Sequence, residues 1–149
     1  MSERLPGRPR FGVRIGGVAV ALPEGLQLAY LERVAVMPLP GAPPAVVGLA
    51  QVNSHPVVVV DPSGSRAIPV PARCSVLVAG EPSAAAGLVV DGPPAPVELG
   101  EPLPGRAPPD CAFATLLADP VADAGNPDLI WWSVHPAELC RRLAAGEPA

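Results

Sequence analysis

Proline occupies 23 of the 149 positions and recurs along almost the whole chain. Each proline removes a backbone donor and clashes with the preceding helical turn, so long helices are excluded. Between the prolines lie short valine-rich runs, the pattern of β-strands joined by tight connections. It predicts strands over Phe11–Ile15, Val18–Leu22, Tyr30–Met37, Val46–Val52, Val57–Val60, Ser75–Ala79, Gly87–Val90, Pro96–Leu99, Ala112–Ala118 and Leu129–Val134. Gly16-Gly17 supplies the positive φ that a two-residue hairpin turn demands. Asn53-Ser54-His55 predicts a second hairpin, with Pro56 opening the return strand. Only Pro136–Ala145 reads as a helix: proline in its first turn, Leu139, Cys140 and Leu143 on one face, Arg141 and Arg142 near its C-terminus and Gly146 beyond. Such a helix suits a cap over an open end of a β core.

This length suits one domain with a real core. Hydrophobic residues make up 49% of the chain but aromatics only 3%, so the core must be built mainly from valine, leucine and alanine. All basic residues are arginine and the formal net charge is −4. No basic stripe and no aromatic–arginine interleaving is present, which argues against nucleic acid as a partner. Arg14 and Gly16-Gly17 interrupt the first apolar stretch, and no window reaches the roughly 20 apolar residues of a membrane span. Cys74, Cys111 and Cys140 are odd in number and widely spaced, as buried thiols of a cytoplasmic protein are. Neither membrane insertion nor a disulfide framework is expected.

No catalytic constellation emerges. His55 and His135 are the only histidines, and neither has a metal-ligand spacing. His55 reads as a solvated turn residue and His135 as a helix-start residue. Ser54, Ser63, Ser75 and Ser133 lack a nucleophile elbow, and Gly16-Gly17 lacks the lysine and helix of a phosphate loop. Asp119, Asp123 and Asp128 read as a solvated loop. No enzyme activity, metal or other cofactor is therefore expected. Trp131 and Trp132 should point to opposite faces of a strand, one into the core and one outward as a candidate interface anchor.

The chain also repeats itself. Pro38-Leu39-Pro40-Gly41-Ala42-Pro43-Pro44 returns as Pro102-Leu103-Pro104-Gly105-Arg106-Ala107-Pro108-Pro109. Each copy precedes an apolar strand, a connection and a second apolar strand, which ends at Asp61-Pro62 in one case and His135-Pro136 in the other. Such self-similarity predicts two related β subdomains. The Pro-Leu-Pro-Gly segments could be ligands for an SH3 domain, but their place between strands favours buried connectors.

Taken in order, these pieces resemble the CheW family of chemotaxis adaptor domains over roughly residues 11–145. Phe11 through Pro23 is similar to the family's opening hairpin, and Pro40–Pro43 to its next connection. Gly48-Leu49 starts a counterpart of the Gly-Leu-x-Asn-Leu-Arg-Gly hairpin, whose return strand ends in aspartate, here Asp61. Val76–Val78, Gly87-Leu88-Val89-Val90-Asp91 and the final strand and helix complete the order. The resemblance implies an all-β fold of two packed SH3-like five-stranded β-barrel subdomains with a short C-terminal helix. Residues 1–10 would be a flexible tail and 11–146 a single domain made of both subdomains. It further implies a cytoplasmic, non-enzymatic scaffold that couples the regulatory domain of a CheA-type histidine kinase to the cytoplasmic tip of a chemoreceptor. The partner-binding positions it implies are Ala29, Val34, Val36, Gly48, Val52, Asn53, Ser54 and His55. Two depart from the family pattern: asparagine stands at 53 where the family has arginine, and alanine at 29 where it often has glutamate. A module of a pilus-type or other chemosensory system that has lost ordinary receptor binding is the alternative.

Overall fold

The computed structural model describes residues 10–63, 72–81 and 84–146; the expected tail, apart from Arg10, lies outside them. Among the described residues, eleven strands and one α-helix run in the order β1 Arg10–Ile15, β2 Val18–Ala21, β3 Leu28–Val36, β4 Val46–Val52, β5 His55–Val60, β6 Ala72–Ala79, β7 Ala86–Val89, β8 Ala95–Val97, β9 Leu99–Pro102, β10 Ala118–Asp123, β11 Ile130–Ser133 and α1 Pro136–Ala144. They form two sheets, β8-β1-β2-β11-β10-β9 and β3-β6-β7-β5-β4.

Both sheets close on themselves. In the second, Met37 just beyond β3 exchanges both backbone hydrogen bonds with Leu49 of β4, at 2.8 Å each. In the first, β8 and β9 are one bent segment broken only at Glu98; β8 pairs with β1 and β9 with β10. We call these barrel A (β1, β2 and β8–β11) and barrel B (β3–β7). Each is five strands deep once the bent segment is counted as one strand, and closure leaves no long free edge. Each also contains one parallel pair, β2 with β11 and β5 with β7.

The barrels share a plan in cyclically permuted order. The β6–β7 hairpin corresponds to β1–β2, β4–β5 to β10–β11, and β3 with Met37 to β8–β9. Both Pro-Leu-Pro-Gly segments leave the strand that closes its barrel. Barrel B is contiguous in sequence, whereas barrel A is assembled from both ends of the chain around it.

Alternation along the strands divides the core into three. Val13, Ile15 and Val20 of barrel A meet Val60, Leu77 and Leu88 of barrel B in a shared core, which Phe113, Leu139, Cys140 and Leu143 complete. Each fully buried Ile, Leu or Phe side chain there contributes about 1.5–3 kcal/mol. Barrel B is filled by Val36, Ala50, Val59, Cys74, Val76 and Val78. Barrel A is filled by Ala19, Ala21 and Trp131. The helix packs on β5 and β7 of barrel B and adds Leu139, Cys140 and Leu143 to the shared core. Burial pushes the thiols of Cys74 and Cys140 up.

Two turns show why these residues stand where they do. Gly16 and Gly17, with φ of 56° and 84°, form the expected hairpin turn. Their N–H groups donate to the two carboxylate oxygens of Asp91 at 3.0 and 2.7 Å, pinning the tip of a barrel A hairpin to the end of β7. Asn53 and Ser54, at φ 48° and 69°, make the β4–β5 turn, so His55 opens the return strand. Pro56 follows it opposite Gln51. Leu49 turns its backbone toward Met37, and Gln51, two residues on, faces the same way. Pro56 thus occupies a position where the ladder needs no N–H.

Three expectations are corrected. Ala112–Ala118 is not a strand: Ala114–Leu116 is a 3-10 turn that drives Phe113 into the shared core. The strand lies just after it, in the stretch expected to be a loop, and carries Asp119 and Asp123. A register shift between Ala118 and Val121 accommodates Pro120 and the positive φ of Asp119, the irregularity that hides this strand in the sequence. Finally, Trp131 and Trp132 are both buried, at 8% and 6% exposure, so neither is an outward anchor.

The indole N–H of Trp131 donates to Asp123 at 2.9 Å, which holds the Asp123 carboxyl below the usual aspartate range. Because the folded value is depressed, the ionised form favours the fold, and this contribution disappears as pH falls through the lowered value. The Trp131 indole resonance should therefore titrate below the ordinary aspartate midpoint. Trp131→Phe should move the Asp123 midpoint back up; an unchanged Asp123 titration in that variant would refute the coupling.

Candidate protein-binding face

From Val34 to Val60 the chain contains no Asp, Glu, Lys or Arg. This uncharged run supplies the end of β3, the following loop, β4 and β5, and so makes one side of barrel B. Its exposed members include Met37, Pro38, Leu39, Pro40, Gln51, Asn53, Ser54 and His55. Charge depletion of this kind, with methionine present, marks the centre of protein interfaces.

At one end of this side, the start of β3 and the β4–β5 turn bring Ala29, Val52 and Asn53 together. With Gln27 and Leu28 they ring a depression floored by Val57, Val78 and Ala85. Its cavity is ≈ 40 Å³, room for a few waters and far short of the roughly 300–1,000 Å³ of small-molecule sites. No lining residue is charged, so the mouth can accept a neutral group but offers nothing to pair with an ion.

The implied partner-binding positions divide in the structure. Ala29, Asn53, Ser54 and His55 are exposed, and Val34 and Val52 half-buried. Val36 is 1% exposed within barrel B and presents no side chain to a partner. Gly48 is buried where β4 passes the Met37 carbonyl, with no room there for a side chain. Alternation along β3 turns Val36 inward, whereas Gly48 is covered by the adjacent Met37 and Pro38 backbone.

Two residues of this face were not among the expected positions. Met37 is 73% exposed and Leu39 37%, and they are the exposed large hydrophobic residues of the described chain. The expectation of buried connectors is thus wrong for both Pro-Leu-Pro-Gly segments: Pro38, Leu39, Pro40 and Gly41 are exposed, and of Pro102, Leu103, Pro104 and Gly105 only Leu103 is half-buried. The signal that could have found Met37 and Leu39 is the uncharged run, which hydrophobic periodicity alone reads as core.

A second cleft, ≈ 450 Å³, is lined by Arg10, Glu24, Asp119, Ser133 and His135 among others. Although serine, histidine and aspartate share its wall, no hydrogen bond joins them, and Arg10 Nε donates to the Leu22 carbonyl at 2.9 Å. His135 starts α1 without a side-chain cap bond. Among the described residues, no cluster of His, Cys, Asp and Glu could hold a metal, and no helix is long and apolar enough to cross a membrane.

Two closed five-stranded barrels sharing a core, one assembled from both chain ends around the other, define a CheW-like fold. Among solved structures, the chain is similar to the scaffolding protein TtCheW from Thermoanaerobacter tengcongensis, with a TM-score of 0.61 over 90% of this chain and 89% of that one. Sequence identity between the two is 12%. No family model matches the sequence, and no curated protein matches it.

Proposed function

We propose that the protein is a non-enzymatic adaptor of a bacterial chemosensory pathway that docks the regulatory domain of a CheA-type histidine kinase. The observation that carries this reading is the CheW-like fold with one uncharged barrel side, on which Ala29, Val52 and Asn53 converge. Its place of work is the cytoplasm, where that kinase domain resides. Titration of the purified protein with the regulatory domain of a CheA-type kinase from the same cell tests this directly. Saturable binding is expected, and no association at high micromolar concentration would sink the kinase-docking role.

For the receptor side, the neutral mouth favours the divergent reading, in which ordinary receptor-tip binding is lost and a pilus-type or other chemosensory system is served. An ion pair enclosed at an interface contributes far more than an exposed one, and alanine at 29 with asparagine at 53 can form none. Asn53 is also a residue that tolerates its left-handed backbone. Ala29→Glu with Asn53→Arg, the latter paired with Ser54→Gly to relax the turn, should create binding to a receptor tip. No gain in a folded variant points to a wider remodelling of the groove.

A further inference from the structure

We infer that Met37 and Leu39 are the anchor of this adaptor's partner contact, and that the partner presents an apolar socket without charge. The loop that carries them is held rigid. Met37 is fixed through both backbone groups to Leu49, Ala42 N–H closes a turn on the Leu39 carbonyl at 3.3 Å, and Gly41 takes the positive φ which that turn needs. Beyond it, the Val46 N–H donates to the Pro43 carbonyl at 2.9 Å.

A side chain displayed on a backbone already fixed loses little entropy when it is captured. Methionine adds a polarisable, adaptable surface that fits an irregular apolar pocket. Charge decides the partner's chemistry. The nearest charged residues in sequence, Arg33 and Asp61, lie outside the run, and Asp61 is itself buried and hydrogen-bonded to Ser63. Across the sheet, Arg73 stands opposite Ala35, with its guanidinium donating to the Arg33 carbonyl at 3.3 Å. A partner bringing a charge to this face would strip its water and find no counter-ion within the uncharged run itself. The complementary surface is therefore neutral and apolar, and binding through it should be nearly insensitive to salt.

The inference rests on the adaptor reading for its probe, the kinase regulatory domain. Met37→Asp and Leu39→Asp each place a charge on an exposed side chain and leave the Met37–Leu49 backbone bonds in place, so both variants should fold; circular dichroism checks this. Each should weaken binding at least about tenfold, the loss of a buried anchor, while Glu101→Arg on barrel A should not. Wild-type affinity should change less than about twofold between low and high salt.

If the wild type binds and neither aspartate variant is weakened, the anchor is elsewhere and the inference fails, while the adaptor reading stands. If the wild type does not bind the kinase domain, the adaptor reading fails, and a photoreactive residue in place of Met37 in the native cell decides the anchor. No crosslinked protein there overturns it. A crosslinked protein, identified and purified, whose affinity falls tenfold with Met37→Asp upholds it.

Discussion

Gly48→Ala should open barrel B. A Cβ built on Gly48 falls inside the Met37 carbonyl group, 2.6 Å from its carbon and 3.0 Å from the Pro38 Cα. All three atoms are backbone, so no side chain can swing aside. Relief requires Met37 and Leu49 to separate, which breaks the two hydrogen bonds that close the barrel. Each is worth about 1 kcal/mol net, and the displaced loop adds strain, so a loss of about 3–4 kcal/mol is expected. That is a large part of the stability of a domain this size, typically about 5–15 kcal/mol. Urea unfolding measures the loss, and amide exchange at Met37 and Leu49 locates it. A variant within about 0.5 kcal/mol of wild type, its two amides still protected, would show that closure does not depend on this contact. Because the same loop carries Met37 and Leu39, partner binding should fall with it.

Gly12→Val should be as damaging in barrel A, and a second substitution should repair much of it. A Cβ at position 12 would meet Trp131 Cζ3 at 2.5 Å, Trp131 Cη2 at 2.8 Å and Val97 Cγ1 at 2.7 Å. The indole occupies the space that a side chain on β1 would fill. In barrel B the corresponding positions on β6 and β5 are Val78 and Val57, both buried: two middle-sized side chains where barrel A has one large and none. Gly12→Val alone overpacks, at about 1–3 kcal/mol or more. Trp131→Val alone leaves a cavity costing about 3–5 kcal/mol. The double variant restores the filling used in barrel B and should be at least about 2 kcal/mol more stable than the two single losses would add up to. Strict additivity in denaturant unfolding would contradict the correspondence drawn between the two barrels.

Much of the fold was legible in the sequence because it depends on local chemistry. Prolines exclude long helices wherever the chain folds, Gly16-Gly17 sets a hairpin through φ alone, and Pro136 at the first position and Gly146 beyond the end delimit a helix. The strand at Ala118–Asp123 was not legible. Two aspartates and a proline give it poor strand propensity, and only pairing with β9 on one side and β11 on the other makes it a strand. The 3-10 turn before it was missed for the converse reason: Phe113 lies in an apolar stretch that suits a strand, but its side chain is drawn into the core between the barrels.

The candidate face divides in the same way. Asn53 and Ala29 were identified from motif order, but that they ring one depression follows from β3 and the β4–β5 turn meeting at one end of a barrel. Val36 and Met37 are neighbours of similar character in sequence; strand alternation buries the first, and barrel closure leaves the second in solvent. Proline content determined by itself that this chain would be short strands and tight turns, because a missing donor and a fixed φ act on the residue and its immediate neighbours. Which prolines lie on the surface, which tryptophan fills a barrel and which methionine stands out from it were decided only by the tertiary structure. Those outcomes depend on what the rest of the chain brings to the other side of the strand.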